Sequence, residues 1–314
     1  MFYVATLISR PDRPVVTDAL AQKAARYLPH GRPVDWLNPG FAVDIAFLAD
    51  EIGDAEAASD EERAFLKDIS NDLRDIAGAE PIDVVVQRHD GRRKKLLIAD
   101  MDSTMIGQEC IDELADFAGM KDRVAAITER AMRGEIAFEP ALRERVALLK
   151  GLPTSVINRV IAERIHLTPG GQTLLATMRA DGAYTSMVSG GFTAFTAKLA
   201  AQIGFDEQHA NTLLTDANGR LTGEVAVPIL GREAKLETLM ALRKRLRLQA
   251  EDTLAVGDGA NDIPMIKAAS FGVAYHGKPA LREVAAACID HSDLTALLYA
   301  QGYRREEFVQ PLGE

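Results

Sequence analysis

Residues 96–110 read LLIADMDSTMIGQEC, and this stretch decides the fold. Leu96, Leu97, Ile98 and Ala99 form an apolar run of the kind found in strands buried on both faces of a parallel sheet. The run stops at Asp100, and Asp102 follows two residues later. If strand geometry persists, side chains alternate and the two carboxylates point to the same side. Carboxylates so placed repel unless a positive group stands near them. A divalent cation meets that need, because Mg²⁺ takes hard oxygen ligands and often completes its shell with a substrate phosphate.

Working outward, the chain after residue 96 alternates short apolar runs with helical patterns. Strands are predicted at 96–99, 184–188, 253–256 and 271–274, with helices at 171–179, 192–203 and 233–246 between them. This alternation predicts an α/β fold with a doubly wound parallel sheet. Residues 109–165 break the pattern, carrying four helical stretches and no strand signal, and read as a helical insertion. Gly219 and Gly223 in DANGRLTGEV predict a β-hairpin excursion.

Upstream, residues 2–9 are strand-like, and Thr17 caps an alanine-rich helix through Tyr27. Residues 34–37 and 41–48 pair as a hairpin around Asn38-Pro39-Gly40. Ser59-Asp60-Glu61-Glu62 is a capping box opening a helix to about Ala77, and residues 82–86 supply a last strand. The order βαββαβ is ferredoxin-like. Residues 87–95 are polar and basic and read as a linker, with Arg92-Arg93-Lys94-Lys95 as a solvated strand entry.

Composition narrows the function. The 314 residues are 47% hydrophobic, which predicts a sizeable core. A net charge of −10 argues against nucleic acid as a partner. No apolar stretch is long enough to span a membrane, and the N-terminus has no signal-peptide pattern. Two cysteines, Cys110 and Cys288, allow no disulfide framework and predict a reducing, cytoplasmic setting. Both read as packing residues, and the histidines are scattered without ligand spacing.

Ligands bind at the carboxyl ends of the strands in an open α/β sheet. Asp100-Met101-Asp102-Ser103-Thr104, Ser189-Gly190-Gly191 and Gly257-Asp258-Gly259-Ala260-Asn261-Asp262 stand at three such ends. The aspartates are candidate metal ligands, and one of them could be a covalent nucleophile. Ser189 and Gly190 offer a hydroxyl and an unshielded backbone to a phosphate. Lys235 falls in the first turn of a predicted helix, where a cation opposes the dipole and is better placed beside an anion. Together these parts describe phosphoryl transfer.

These motifs resemble those of the haloacid dehalogenase superfamily of phosphotransferases: DMDST, SGG, Lys235 and GDGAND, in that order, over about residues 96–300. Within it the chain resembles the phosphoserine phosphatases, through DMDSTMIGQECIDELA, ITERAMRGEIAFEPALRERVALLKG, VSGGF, LTGEV and AVGDGANDIPM. The resemblance implies Asp100 as nucleophile and Asp102 as general acid and base. It implies Mg²⁺ held by Asp100, the main chain of Asp102 and Asp258, with Asp262 in support. Ser189, Gly190 and Lys235 would hold the phosphoryl group, with Asn261 near it. Residues 1–87 look like an ACT-like regulatory domain, with 88–108 and 166–314 as the phosphatase core and 109–165 as its cap.

The cap points to an amino-acid substrate. Phe138, Leu142, Val146 and Leu149 make an apolar stripe at helical spacing, and Arg145 lies on that stripe while Arg143 and Glu144 point away. A guanidinium in an apolar face needs a planar anion, or else it snorkels at the stripe's edge. In the family pattern Arg145 meets the substrate carboxylate and Glu109 its amino group, with Met132 and Phe138 lining the pocket. The implied reaction is Mg²⁺-dependent conversion of O-phosphoserine to serine through an aspartyl-phosphate. L-Serine regulation and a homodimer are open. Two alternatives stand beside it: a phosphotransferase with an alcohol acceptor such as homoserine, and an amino-acid-sensing phosphorylatable regulator.

Overall fold

The computed structural model describes residues 1–49, 59–133 and 135–310, without the side chains of Asp60 and Met132. The first elements are β1 (Phe2–Ser9), α1 (Asp18–Tyr27), β2 (Asp35–Asn38), β3 (Ala42–Leu48), α2 (Asp60–Ala77) and β4 (Ile82–Arg88). The helices begin where their caps predict. The Thr17 hydroxyl accepts from Leu20 N and the Ser59 hydroxyl from Glu62 N. The antiparallel sheet runs β2-β3-β1-β4, the ferredoxin-like order. Tyr3, Ala5 and Leu7 of β1 join Ile45, Phe47, Val84 and the helix residues Ala21, Ala24 and Leu73 in one core.

After β5 (Leu96–Ala99) come four helices with no strand among them, α3 (Cys110–Phe117), α4 (Lys121–Met132), α5 (Phe138–Ala147) and α6 (Ser155–Arg164). The α/β alternation resumes with α7 (Gly171–Ala180), β6 (Tyr184–Phe192), α8 (Thr193–Ile203) and β7 (Glu207–Asn211). The hairpin predicted from its glycines is β8 (Leu213–Thr215) with β9 (Leu221–Val225). The chain ends with α9 (Arg232–Leu246), β10 (Thr253–Gly257), α10 (Ile263–Ala268), β11 (Phe271–Tyr275), α11 (Pro279–Arg282), β12 (Ala287–Ile289) and α12 (Ala296–Ala300).

The parallel sheet has the order β12-β11-β10-β5-β6-β7. Its three central strands, β10, β5 and β6, are the ones that carry the acidic and glycine-rich loops. Strands β7 and β12 were not predicted. They are edge strands, and EQHAN in β7 offers no apolar run to read.

By contact the chain forms two compact units, residues 1–98, 169–185 and 242–314 in the first, and 99–168 with 186–241 in the second. In the first unit the basic run leads into β5 but is solvated only in part: Arg93 and Lys95 are exposed, while Arg92 and Lys94 are held by the fold. Lys94 is buried, and its ammonium donates to the carbonyls of Gly91 and Glu251 at 2.8 and 2.9 Å. Arg92 donates to buried Asp44 at 2.8 Å, Lys95 pairs with Asp252 at 3.0 Å, and Arg93 pairs with Glu307 at 2.6 Å. Each cation has its own partner far away in sequence, so the segment is a stitched joint rather than a loose connection.

Candidate active site

β5 ends at Ala99 as its apolar run predicts, so strand geometry does not persist through Asp102 and pleat alternation does not orient the second carboxylate. Asp100 is buried at the start of a turn, and its Oδ1 accepts the Met101 N–H at 2.7 Å. Ser103 then adopts φ 56°, the left-handed region uncommon for a residue with a Cβ. Asp100 Oδ2 lies 2.7 Å from Lys235 Nζ, and both side chains are almost fully buried. Lys235 is thus no surface lysine, and α9 delivers it to the end of β5 as the dipole argument required.

Asp102 faces the N-terminus of α3, where its Oδ1 accepts the Cys110 N–H at 3.1 Å. Burial, with Glu109 nearby as a further negative charge, pushes its carboxyl up to about 7. A Cβ on Gly191 would lie 3.0 Å from Asp102 Oδ2 and 3.0 Å from Ser189 Oγ, so glycine is what allows this loop to sit so close. Ser189 is buried, and its hydroxyl accepts the Gly191 N–H at 2.9 Å. Burial also pushes the Cys110 thiol up, which suits a packing residue and not a nucleophile.

In the helical insertion Leu142, Val146 and Leu149 are buried as predicted, but Phe138 is 42% exposed. It is the first residue of α5 and overhangs the helix start. Its ring passes 3.5 Å from where a Gly190 Cβ would be. Arg143 and Glu144 are exposed, while Arg145 is half-buried. Among the described residues Arg145 donates to the Ala141 carbonyl at 3.3 Å and the Thr128 hydroxyl at 3.5 Å. Burial pulls its pKa down, against the favourable charges of Asp112 and Glu109. Glu109 stands at the start of α3 without capping it and accepts from the Ser103 hydroxyl at 2.9 Å. Met132 lies outside the described side chains.

The other unit holds the GDGAND loop. Asp262 is fully buried, and its Oδ2 accepts the N–H groups of Asp258 and Gly259 at 3.1 and 3.0 Å. A Cβ on Gly257 would meet Asp262 Cγ at 2.4 Å, so this turn tolerates glycine alone. Asp258 is buried with its Oδ2 2.9 Å from Lys278 Nζ, and Asn261 is exposed on the following turn.

A family model described as haloacid dehalogenase-like hydrolase matches residues 97–267. A phosphoserine phosphatase from Streptomyces coelicolor is 38% identical over 307 residues, covering 96% of this chain and 72% of that protein. The chain belongs to the haloacid dehalogenase-like hydrolases, in the phosphoserine phosphatase family. A HAD-family hydrolase from Salmonella enterica serovar Typhi superposes with a TM-score of 0.76 at 30% identity, covering 95% of this chain and 98% of that one. A phospho-aspartyl intermediate analogue of a phosphoserine phosphatase superposes with a TM-score of 0.61 at 41% identity, covering 66% and 98%.

Three neighbours of the candidate residues carry no signal of their own in the sequence. Gly191 was seen only as part of a turn, although it is the residue against Asp102. Lys278 lies twenty positions from its partner Asp258, in a KP pair that reads as the start of a helix. Asn211 ends a strand that had no signal of its own.

Proposed function

We propose that this chain hydrolyses O-phosphoserine to serine and inorganic phosphate, with Asp100 and Asp102 carrying the chemistry. Reaction and substrate class follow from family membership. One observation carries the division of roles. The ammonium of Lys235, 2.7 Å from Asp100, favours its ionised form, while burial lets Asp102, two residues on, hold a proton near neutral pH.

In this reading an Asp100 oxygen attacks phosphorus and the bond from phosphorus to the serine oxygen breaks. Asp102 gives its proton to the departing oxygen. The Asp102 carboxylate then takes a proton from a water that attacks the aspartyl-phosphate, releasing phosphate and restoring Asp100. The Ser189 hydroxyl, the Gly190 backbone and Lys235 hold the phosphoryl oxygens, with Asn261 beside them. Arg145 takes the substrate carboxylate, Glu109 its ammonium, and Phe138 and Met132 line the pocket.

Mg²⁺ fits the donor set. Asp100, Asp258 and Asp262 are buried carboxylates that could each offer an oxygen, at the ends of the neighbouring strands β5 and β10. The main-chain carbonyl of Asp102 would join them. When bound, the ion supplies charge neutralisation and orientation of the phosphoryl oxygens. The same reading treats residues 1–87 as an ACT-like accessory domain, 88–108 with 166–314 as the core, and 109–165 as the cap. L-Serine regulation, a homodimer and a cytoplasmic setting go with it. No helix among the described residues is long and apolar enough to cross a membrane.

The test is phosphate release from phosphoserine, phosphothreonine, phosphoethanolamine and an aryl phosphate, with and without Mg²⁺ and with homoserine as acceptor. Phosphoserine should lead and need the metal. Equal rates on phosphoethanolamine, which lacks the carboxylate, would sink the substrate reading. Turnover only with homoserine would make the chain a phosphotransferase.

A further inference from the structure

On its β7 side the glycine-rich end of β6 is out of register. Pairing between β6 and β7 runs Ser186↔Glu207, Met187↔Gln208, Val188↔His209 and then jumps to Phe192↔Asn211. Ser189, Gly190 and Gly191 therefore stand opposite Ala210 alone, a bulge that takes their backbone out of the β6–β7 ladder. A carbonyl freed this way must find another donor, since a buried unpaired polar group costs about 1–3 kcal/mol.

The Asn211 side chain is that donor. It is buried, and its amide nitrogen donates to the carbonyls of Gly190 at 2.9 Å and Leu230 at 3.1 Å. Its Oδ1 accepts the Leu230 N–H at 2.7 Å. Both amide hydrogens and the oxygen are used. One side chain thus ties the Ser189–Gly191 loop to the segment that enters α9, and α9 carries Lys235.

The direction of the Gly190 bond matters as much as its existence. In a trans peptide the carbonyl of one residue and the N–H of the next point to opposite sides. Holding the Gly190 carbonyl on Asn211 aims the Gly191 N–H away, onto the Ser189 hydroxyl at 2.9 Å. It also fixes Gly191 against Asp102.

We propose that Asn211 is a positioning residue for phosphoryl transfer, holding the Ser189–Gly191 loop and the approach to Lys235 in the register that receives the phosphate. The proposal rests on the reading that Ser189 and Gly190 bind the phosphoryl group. Asn211 itself touches no reacting atom.

Asn211→Ala removes all three bonds. Asn211→Asp keeps the shape and the acceptor but turns one oxygen toward the two carbonyls. Both should lose on the order of 100-fold in kcat, as misplacement near 1 Å does. The discriminating readout is product inhibition. Inorganic phosphate should inhibit about tenfold more weakly than in wild type, while serine, held by the cap, should inhibit as before (tenfold being about 1.4 kcal/mol). Phosphate and serine inhibition weakening together, or neither changing, would overturn the proposal. If the Ala variant does not fold, the Asp variant decides alone by the same readout. Ser189→Ala separates the two layers. Unchanged phosphate inhibition there means the phosphate-loop reading has failed. Weakened inhibition there, with both Asn211 variants unaffected, means that Asn211 has no positioning role.

Discussion

Replacing Arg145 by methionine tests the link between cap and substrate. The side chain is half-buried in the insertion, and among the described residues its donors reach a carbonyl at 3.3 Å and a hydroxyl at 3.5 Å. Both distances are at the long end of hydrogen bonding, so little folding energy is at stake. No carboxylate among the described residues forms an ion pair with it at 4.0 Å or less, although burial disfavours its charge. Its remaining donors therefore suit an anion brought by the substrate. A bidentate guanidinium–carboxylate contact is worth about 3 kcal/mol when desolvated, or roughly 100–200-fold in kcat/KM. Methionine keeps the apolar stem, so the melting temperature should move by only a few degrees. The assay compares kcat/KM for phosphoserine with that for an aryl phosphate having no carboxylate. The phosphoserine value should fall by two orders of magnitude and the aryl value by less than about threefold. Equal losses on both substrates would refute the clamp. A collapse of stability would refute the claim that Arg145 is spare in the fold.

Three further outcomes are expected. Asp100→Asn should abolish the acid-stable, hydroxylamine-sensitive phosphoenzyme, and turnover near the wild-type rate would remove Asp100 as nucleophile. Asp262→Ala should cost about 2–5 kcal/mol in denaturant unfolding, because two buried N–H groups lose their acceptor. Asp262→Asn, which keeps an oxygen there, should recover most of it, and equal losses in the two variants would contradict this. Burial pulls Lys94 down from 10.5 to about 8, so between those values the unfolded chain holds a proton the folded chain has released. Stability from this group is therefore fully present above the upper value and lost as pH falls through the lower. The wild-type-minus-Lys94→Met difference in unfolding free energy should rise by about 3 kcal/mol across that window, and a flat difference would show that Lys94 is not buried as described.

The readable parts of this molecule were those whose cause is local. LLIA announces a strand buried on both faces, Thr17 and Ser59 announce helix starts, and GDGAND packs more acids than a turn requires. What stayed hidden depends on partners brought in by the fold. Ser103 takes a left-handed backbone that no side-chain property demands, and it redirects the chain just after Asp102. Arg92 and Lys94 looked solvated because Asp44 and Glu251, which receive them, lie 48 and 157 positions away. Phe138 fits the helical stripe, yet its place at the very start of α5 sends the ring over Gly190 instead of into the core. Asn211 reads as a polar residue in a short polar segment, and only the bulge opposite it gives its amide a use.

The first unit also constrains what the N-terminal domain can do. Its sheet is covered on both faces. Tyr3, Ala5 and Leu7 pack under α1 and α2, while Val4, Thr6 and Ile8 on the opposite face are equally buried. On that side α12 packs against β1 and β12 against β4. Asp83 of β4 is buried and accepts the N–H groups of Asp290, His291 and Ser292, three amides that a short turn after β12 cannot satisfy internally. Arg304 grips Asp35 of β2 through two contacts of 2.7 Å and donates to the Trp36 carbonyl. Asn38 donates to the Tyr299 hydroxyl at 2.8 Å, and Gln87 to the Ala300 carbonyl at 2.7 Å. Among the described residues, both faces of this sheet are engaged in this way. Serine sensing or dimerisation through this domain would fall to the outer surfaces of α1 and α2, since Arg304 already engages Asp35 and Trp36 of β2. Any signal from there would have several joints to the rest of the first unit, among them the buried Asp83 carboxylate that ties down three amides after β12.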